Sequence, residues 1–174
     1  MKRKFWLILY YGFARYLPPT HKGLLGLIGS KLRRTCAMHL FKSCASDVNI
    51  EHMADFGNGA GIEIGSRSGI GIHCHVPNDI KIGDCVLMGP YCHILNNTSH
   101  NYSRNDIPII DQGVSKIKKR TIIGNDVWMG RQCLMVSGKT IGNHTIIGAG
   151  SVVCKDIPDN VVAAGNPIRI VKQR

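Results

Sequence analysis

Every sixth residue from Ile64 is aliphatic, through Ile70, Val76, Ile82, Met88 and Ile94, and the same count from Ile123 lands on Met129, Met135, Ile141, Ile147 and Val153. Glycine follows directly at Gly65, Gly71, Gly83, Gly89, Gly124, Gly130, Gly142 and Gly148. An amphipathic helix repeats at about 3.6 residues and a half-buried strand at two, so neither can be the organising element. A period of six fits one short strand and one turn per repeat, with stacked turns placing the aliphatic side chains in files. The adjacent glycines are expected to supply tight or left-handed backbone after each strand. Ile50, Phe56 and Ile62 suggest a less regular coil before the first series.

A chain of 174 residues holds one main domain rather than two. Aromatic residues make up only 6% and there are 20 glycines, which suits thin, regular, β-branched layers joined by many turns. Seven cysteines (Cys36, Cys44, Cys74, Cys85, Cys92, Cys133 and Cys154) form no CxxC pair and stand among apolar residues, as reduced buried thiols of a cytoplasmic protein would. The glycine-rich stretch 57–62 lacks the strand and helix setting of a phosphate-binding loop.

Charge divides the chain unequally. The first acidic residue is Asp47, and nine cations precede it: Lys2, Arg3, Lys4, Arg15, Lys22, Lys31, Arg33, Arg34 and Lys42. The other 13 Lys and Arg are balanced by 11 Asp and Glu, so the body offers no nucleic-acid-binding face. Residues 1–44 lie outside the repeat and read as basic, apolar and helical, broken into two segments by Pro18-Pro19. The opening resembles the charged and apolar regions of a signal peptide, but no small-x-small cleavage site follows and the apolar run is too short for a membrane span. Two readings stay open: a helical element packed on the repeat domain, or a basic interfacial helix at the inner face of an anionic membrane.

Between Ile94 and Ile123 the period fails. The strongly polar run Asn96-Asn97-Thr98-Ser99-His100-Asn101-Tyr102-Ser103-Arg104-Asn105-Asp106 must leave the coils there, and the second register reaches back to Ile117. His100 stands at the foot of this loop. An imidazole, with an unperturbed pKa of about 6.5, is mostly neutral at pH 7 and suits proton abstraction. Trp128, one of two tryptophans, occupies what reads as a turn position rather than an aliphatic slot.

These motifs resemble the hexapeptide-repeat acyltransferases, closest to the galactoside and maltose O-acetyltransferases and those of polysaccharide biosynthesis. The similarity runs over about residues 45–170, with the loop at about 96–120 and a basic tail at 171–174. It implies an all-β fold, a left-handed parallel β-helix with three repeats per triangular coil. It also implies acetyl-CoA as cosubstrate, no metal, and a homotrimer with sites between neighbouring subunits. Residue by residue, His100 matches the general base. Gly130 or Arg131 matches the oxyanion donor through its backbone N–H, although the family often has a small residue where Arg131 stands. Trp128, His73 and Asn97 match the acceptor and acetyl surroundings, and Ala149, Lys155 and Arg169 the coenzyme A contacts. An acceptor-side asparagine of the galactoside enzymes finds only Gly71, Ile72 and His73 near its place, so the acceptor hydroxyl is undefined.

A sugar or polysaccharide precursor is the first expected acceptor. Serine is the alternative, although the long helical domain of serine acetyltransferases is missing. A carbonic-anhydrase-like zinc protein would need three histidines meeting across a subunit boundary. A non-enzymatic scaffold would have no need of His100, Trp128 and the C-terminal segment together.

Overall fold

The computed structural model describes residues 2–174. Two helices, α1 (Lys2–Gly12) and α2 (Gly23–Leu40), precede a solenoid of two-residue strands. Its first coil holds β1 (Ser43–Cys44) and β2 (Asn49–Ile50), and its second β3 (Glu63–Ile64) and β4 (Gly69–Ile70). The third holds β5 (Lys81–Ile82), β6 (Leu87–Met88) and β7 (His93–Ile94). An arm of β8 (Thr98–His100) and β9 (Val114–Lys116) then projects as an antiparallel hairpin. The fourth coil carries β10 (Ile122–Ile123), β11 (Trp128–Met129) and β12 (Leu134–Met135), and the fifth β13 (Thr140–Ile141), β14 (Ile146–Ile147) and β15 (Val152–Val153). A final partial coil ends in β16 (Val161–Ala164) and β17 (Arg169–Gln173).

Parallel pairing from coil to coil builds three sheets around a triangular prism, a left-handed parallel β-helix. Sheet one runs β1-β3-β5-β10-β13, and sheet three β7-β12-β15. Sheet two runs β6-β11-β14-β16-β17, and β2-β4 continues it downward through Gly69 N–H to Val86 O at 3.0 Å. Ile123 pairs directly beside Ile82, so the arm is looped out without any loss of register. Each two-residue strand has one residue in and one out. All twelve residues of the two series are buried, and each contributes roughly 1.5–3 kcal/mol by leaving water.

Three details differ from the sequence expectation. The first coil is completed by Cys44, which pairs with Ile64, while Ile62 is buried outside the file because this coil is longer than the others. The glycines after the file residues do not adopt positive φ. Left-handed backbone falls two residues later, at Arg67, His73, Cys85, Tyr91, Asp126, Gln132 and His144, with φ between 51° and 61°. The glycines are required by close stacking instead, since a Cβ on Gly89 would stand 2.7 Å from Arg131 N and one on Gly130 2.5 Å from Ala149 N. Finally, residues 171–174 are no free tail: most belong to β17, which closes sheet two antiparallel to β16, and Arg174 binds the Asp126 carboxylate at 2.9 Å.

All seven cysteines are free thiols. Cys74, Cys92 and Cys133 sit one above another inside the prism and donate to the carbonyls of Gly89, Gly130 and Gly148. Ser151 fills the next slot, donating within its own turn to Gly148 O at 2.6 Å and accepting from Gly165 N–H of the coil above at 3.0 Å, so the slot selects a small side chain able to bond across a turn. Cys44 and Cys85 are only partly buried and Cys154 is exposed, and there the expectation of a buried thiol fails.

The helices cap the lower end of the prism. Tyr10, Leu40, Phe41 and Phe56 form a cluster, and the Tyr10 hydroxyl donates to Ala54 O at 2.8 Å. Arg33 is not a surface cation. It is fully buried, donating from Nε to Ile50 O at 2.7 Å and from Nη1 to Leu17 O at 3.0 Å and Pro18 O at 3.3 Å, with the Glu51 carboxylate 3.9 Å away.

Candidate active site

Trp128 stands in β11, one residue before the buried Met129, so it points outward from a strand rather than occupying a turn. Leu87 and Ile146 flank it in the same outward row. The indole is 54% exposed and forms a wall shared by two cavities on sheet two. The upper cavity, of about 530 Å³, is lined by Gly89, Pro90, Gly130, Arg131, Gly148 and Ala149 together with Trp128 and the outward side of β14. Four of these positions are glycine or alanine, leaving peptide groups bare, a surface against which an extended chain can lie.

The lower cavity, of about 340 Å³, adds Asp47, Asn49, Glu51 and Arg67 below Leu87 and Trp128. None of these four was singled out from the sequence. The signal was available: Asn49 and Leu87 occupy the same slot as Trp128, one residue before the file, and the six-residue count shifted by one would have found the row.

Two oxyanion candidates separate by their hydrogen bonds. Gly130 N–H donates to Ile147 O at 2.8 Å, so it is committed to the ladder between coils. Arg131 N–H has no hydrogen bond among the described residues, and the residue lines the upper cavity. Ala149 lines it too, while Arg169 begins β17 at the top of the same sheet.

His100, Asn97 and Lys155 lie elsewhere on this chain. They follow β7 and β15, at the corner between sheets three and one, whereas Trp128 belongs to sheet two. His100 ends β8, exposed, paired with Val114. The Asn97 amide is already used: it donates to Asp79 Oδ2 at 2.9 Å, and Asn97 O accepts from Ile117 N–H at 2.6 Å, clamping both feet of the arm. Farther out, Gln112 spans the arm, donating to Arg104 O at 2.7 Å.

His73 projects from the corner between sheets two and three, stacked on Tyr91 at 5.0 Å with His52 against its edge. His75 and His93 stack at 4.6 Å on the outer side of sheet three. Desolvation and the neighbouring His75 lower the His93 pKa, which favours its neutral form. Among the described residues no group of three or more His, Cys, Asp or Glu could hold a metal ion.

The candidate residues thus fall in two places on one chain: Trp128 and Arg169 in sheet two with Arg131 and Ala149 in the turns beside it, and His100 and Lys155 at the opposite corner.

The chain is 31% identical over 145 residues to the galactoside O-acetyltransferase of Escherichia coli strain K12, covering 81% of this chain and 68% of that protein. It is 37% identical over 95 residues to that of Lactococcus lactis subsp. lactis strain IL1403, covering 55% of this chain and 44% of that one. Among solved structures, a galactoside acetyltransferase in complex with coenzyme A superposes with a TM-score of 0.74 at 30% identity, over 99% of this chain and 80% of that one. A maltose O-acetyltransferase from Clostridium difficile 630 gives 0.76 at 28% identity, over 98% and 85%. No family model matches. The fold and these relatives together define an acyltransferase of the hexapeptide-repeat class. Within that class, the chain belongs to the galactoside O-acetyltransferase family.

Proposed function

We propose that the protein transfers the acetyl group of acetyl-CoA to a hydroxyl of a saccharide, a precursor in polysaccharide assembly, in the cytoplasm. The observation that carries this is the peptide-walled cavity beside Trp128 on a chain that aligns over almost its whole length with a coenzyme A complex. Ala149 and the neighbouring glycines would border the pantetheine arm, with Arg169 and Lys155 as phosphate partners. His100 takes the acceptor hydroxyl's proton as that oxygen attacks the thioester carbonyl, then returns it to the departing thiol. Arg131 N–H, free of the ladder, donates to the oxyanion, a contribution of about 3–4 kcal/mol where such donors have been removed. Trp128 and His73 border the acceptor. Asn97 acts one step back, bracing the arm that carries His100.

The two places become one site in a homotrimer, where sheet two of one copy faces the His100 corner of the next. The arm supports this reading, because Tyr102, Ile109, Ile110 and Val114 are exposed on it and a neighbouring prism would cover them. Light scattering should give about three times 19.1 kDa. A monomer that still turns over acetyl-CoA defeats the trimer.

His100→Ala tests the chemistry. Turnover should fall roughly 10²–10⁴-fold with coenzyme A affinity nearly unchanged and the β circular dichroism intact, since proton transfer acts in the transition state. His73→Ala and His93→Ala should cost much less. Retention of activity within about threefold of wild type would remove His100 as the base. Thiol release measured with a sugar panel and with serine identifies the acceptor class.

A further inference from the structure

Helix α2 has its amphipathicity inverted. Its buried stripe against the rest of the cap and the prism is Gly26, Gly29, Arg33, Cys36, Ala37 and Leu40, mostly small residues. A Cβ at Gly29 would lie 2.9 Å from Leu17 Cβ, so this side is packed too closely for larger side chains. The bulky aliphatics face the other way: Leu24 is 74% exposed, Leu25 65%, Leu27 52% and Ile28 51%. A helix stabilised only by folding onto the prism would bury its leucines and expose its small residues. Phe5 and Ile8 on α1 are also more than half exposed.

The nine cations of residues 1–44 divide into two groups. Arg15, Arg33 and Lys42 pair with Asp55, Glu51 and Glu63 of the prism. Lys2, Arg3, Lys4, Lys22, Lys31 and Arg34 have no carboxylate within ion-pair distance among the described residues. Lys22 and Lys31 bracket the exposed aliphatic turn directly. No helix among the described residues is long and apolar enough to cross a membrane.

We infer that the helical cap docks the protein reversibly on an anionic lipid bilayer, with Leu24, Leu25, Leu27 and Ile28 entering the headgroup boundary and the unpaired cations contacting lipid phosphates. Charge selects this occupant over an apolar protein groove. Unpaired Lys22 and Lys31 beside the leucines, with further unpaired cations on the same cap, are unfavourable in an ordinary protein interface and favourable at a surface of anionic headgroups. The inference does not depend on the acetyl-transfer reading, and its test does not measure activity.

Full-length protein is floated with phosphatidylcholine vesicles, with and without phosphatidylglycerol. The wild type should float with the anionic vesicles only, less so as salt is raised. Two double variants confined to exposed positions, Leu24→Ser with Ile28→Ser and Lys22→Glu with Lys31→Glu, should each reduce vesicle binding by about tenfold or more with unchanged circular dichroism. Absence of flotation, equal flotation on both vesicle types, or variants that float like the wild type would each overturn the inference. So would a loss of oligomer mass in the serine variant without a change in flotation, which would make this face a contact between copies of the chain.

Discussion

The prism and its cap are stabilised in opposite ways. Each coil of the prism repeats the same small set of contacts: an inward aliphatic residue, a glycine under the next coil and a small side chain closing the turn above. No single position is special, and energy accumulates coil by coil between nearest neighbours. The cap has no repeat. It is held by a few singular contacts, above all the Arg33 guanidinium and the Tyr10 hydroxyl, which satisfy backbone carbonyls of the helical segment and the prism. A repetitive structure tolerates loss at one site in proportion to the atoms lost, whereas a structure pinned by one buried ion loses much of its organisation with it.

The largest effect expected from this contrast is at Arg33. Arg33→Ala removes the buried cation that faces Glu51 and takes from the Ile50 and Pro18 carbonyls their Arg33 donor, while Leu17 O keeps only its His52 contact, a loss of about 3–5 kcal/mol in urea unfolding. A loss under about 1 kcal/mol would show that the helices, and not this ion, organise the cap.

Next come the files. Ile64, Ile82 and Ile123 follow one another in sheet one and are each at most 3% exposed. Replacing any one with alanine should cost about 2–4 kcal/mol through lost burial and the cavity left behind. The sharper expectation is that the three losses agree within about 1 kcal/mol, because the environments repeat. Three widely different losses would break the picture of equivalent coils.

The same contrast explains what could be read from the sequence. The files, the arm and the foot at His100 were legible because periodicity encodes them directly. Trp128 was found but misplaced, since its outward strand slot is evident only once the inward slot at Met129 is assigned. The lower cavity escaped because Asn49, Gly69 and Leu87 share no residue type, only a position. Arg33 looked like one more surface cation of a basic helix. Its burial follows from the packing of Gly26 and Gly29, which brings α2 close to the Pro18 turn, and no local pattern announces that. The glycines were noticed for the wrong reason: they serve interlayer approach, and the left-handed positions went to residues such as His73 and Tyr91.

The smallest effect lies at Glu51, where the cap should respond to acid before the prism does. Burial alone would raise this carboxyl's pKa, but it accepts from Thr20 N–H at 3.1 Å, Asn49 Nδ2 at 3.0 Å and His52 N–H at 3.3 Å, and the balance holds it below the usual value. A folded-state pKa lowered in this way stabilises the native state at pH values above the unfolded pKa of about 4.3, and that contribution is lost as pH falls through the folded value. Protonation then weakens the partner of Arg33 and the tie to Thr20 together, loosening the start of α2 from the first coil. Two of the prism's depressed carboxyls sit at its surface: Glu63, half-buried, pairs with Lys42 and Arg120, and Asp156, exposed, pairs with Lys119 and accepts from Thr140 N–H at 2.8 Å, so their protonation reaches the edge of sheet one but not the inward files. Amide exchange should therefore show protection falling in α2 at a higher pH than in β14, whereas Thr140 of β13 follows Asp156. Glu51→Gln, which keeps the shape but not the charge, should lower α2 protection at neutral pH and flatten its acid dependence. Simultaneous loss of protection in α2 and the fifth coil would mean that cap and prism unfold as one unit.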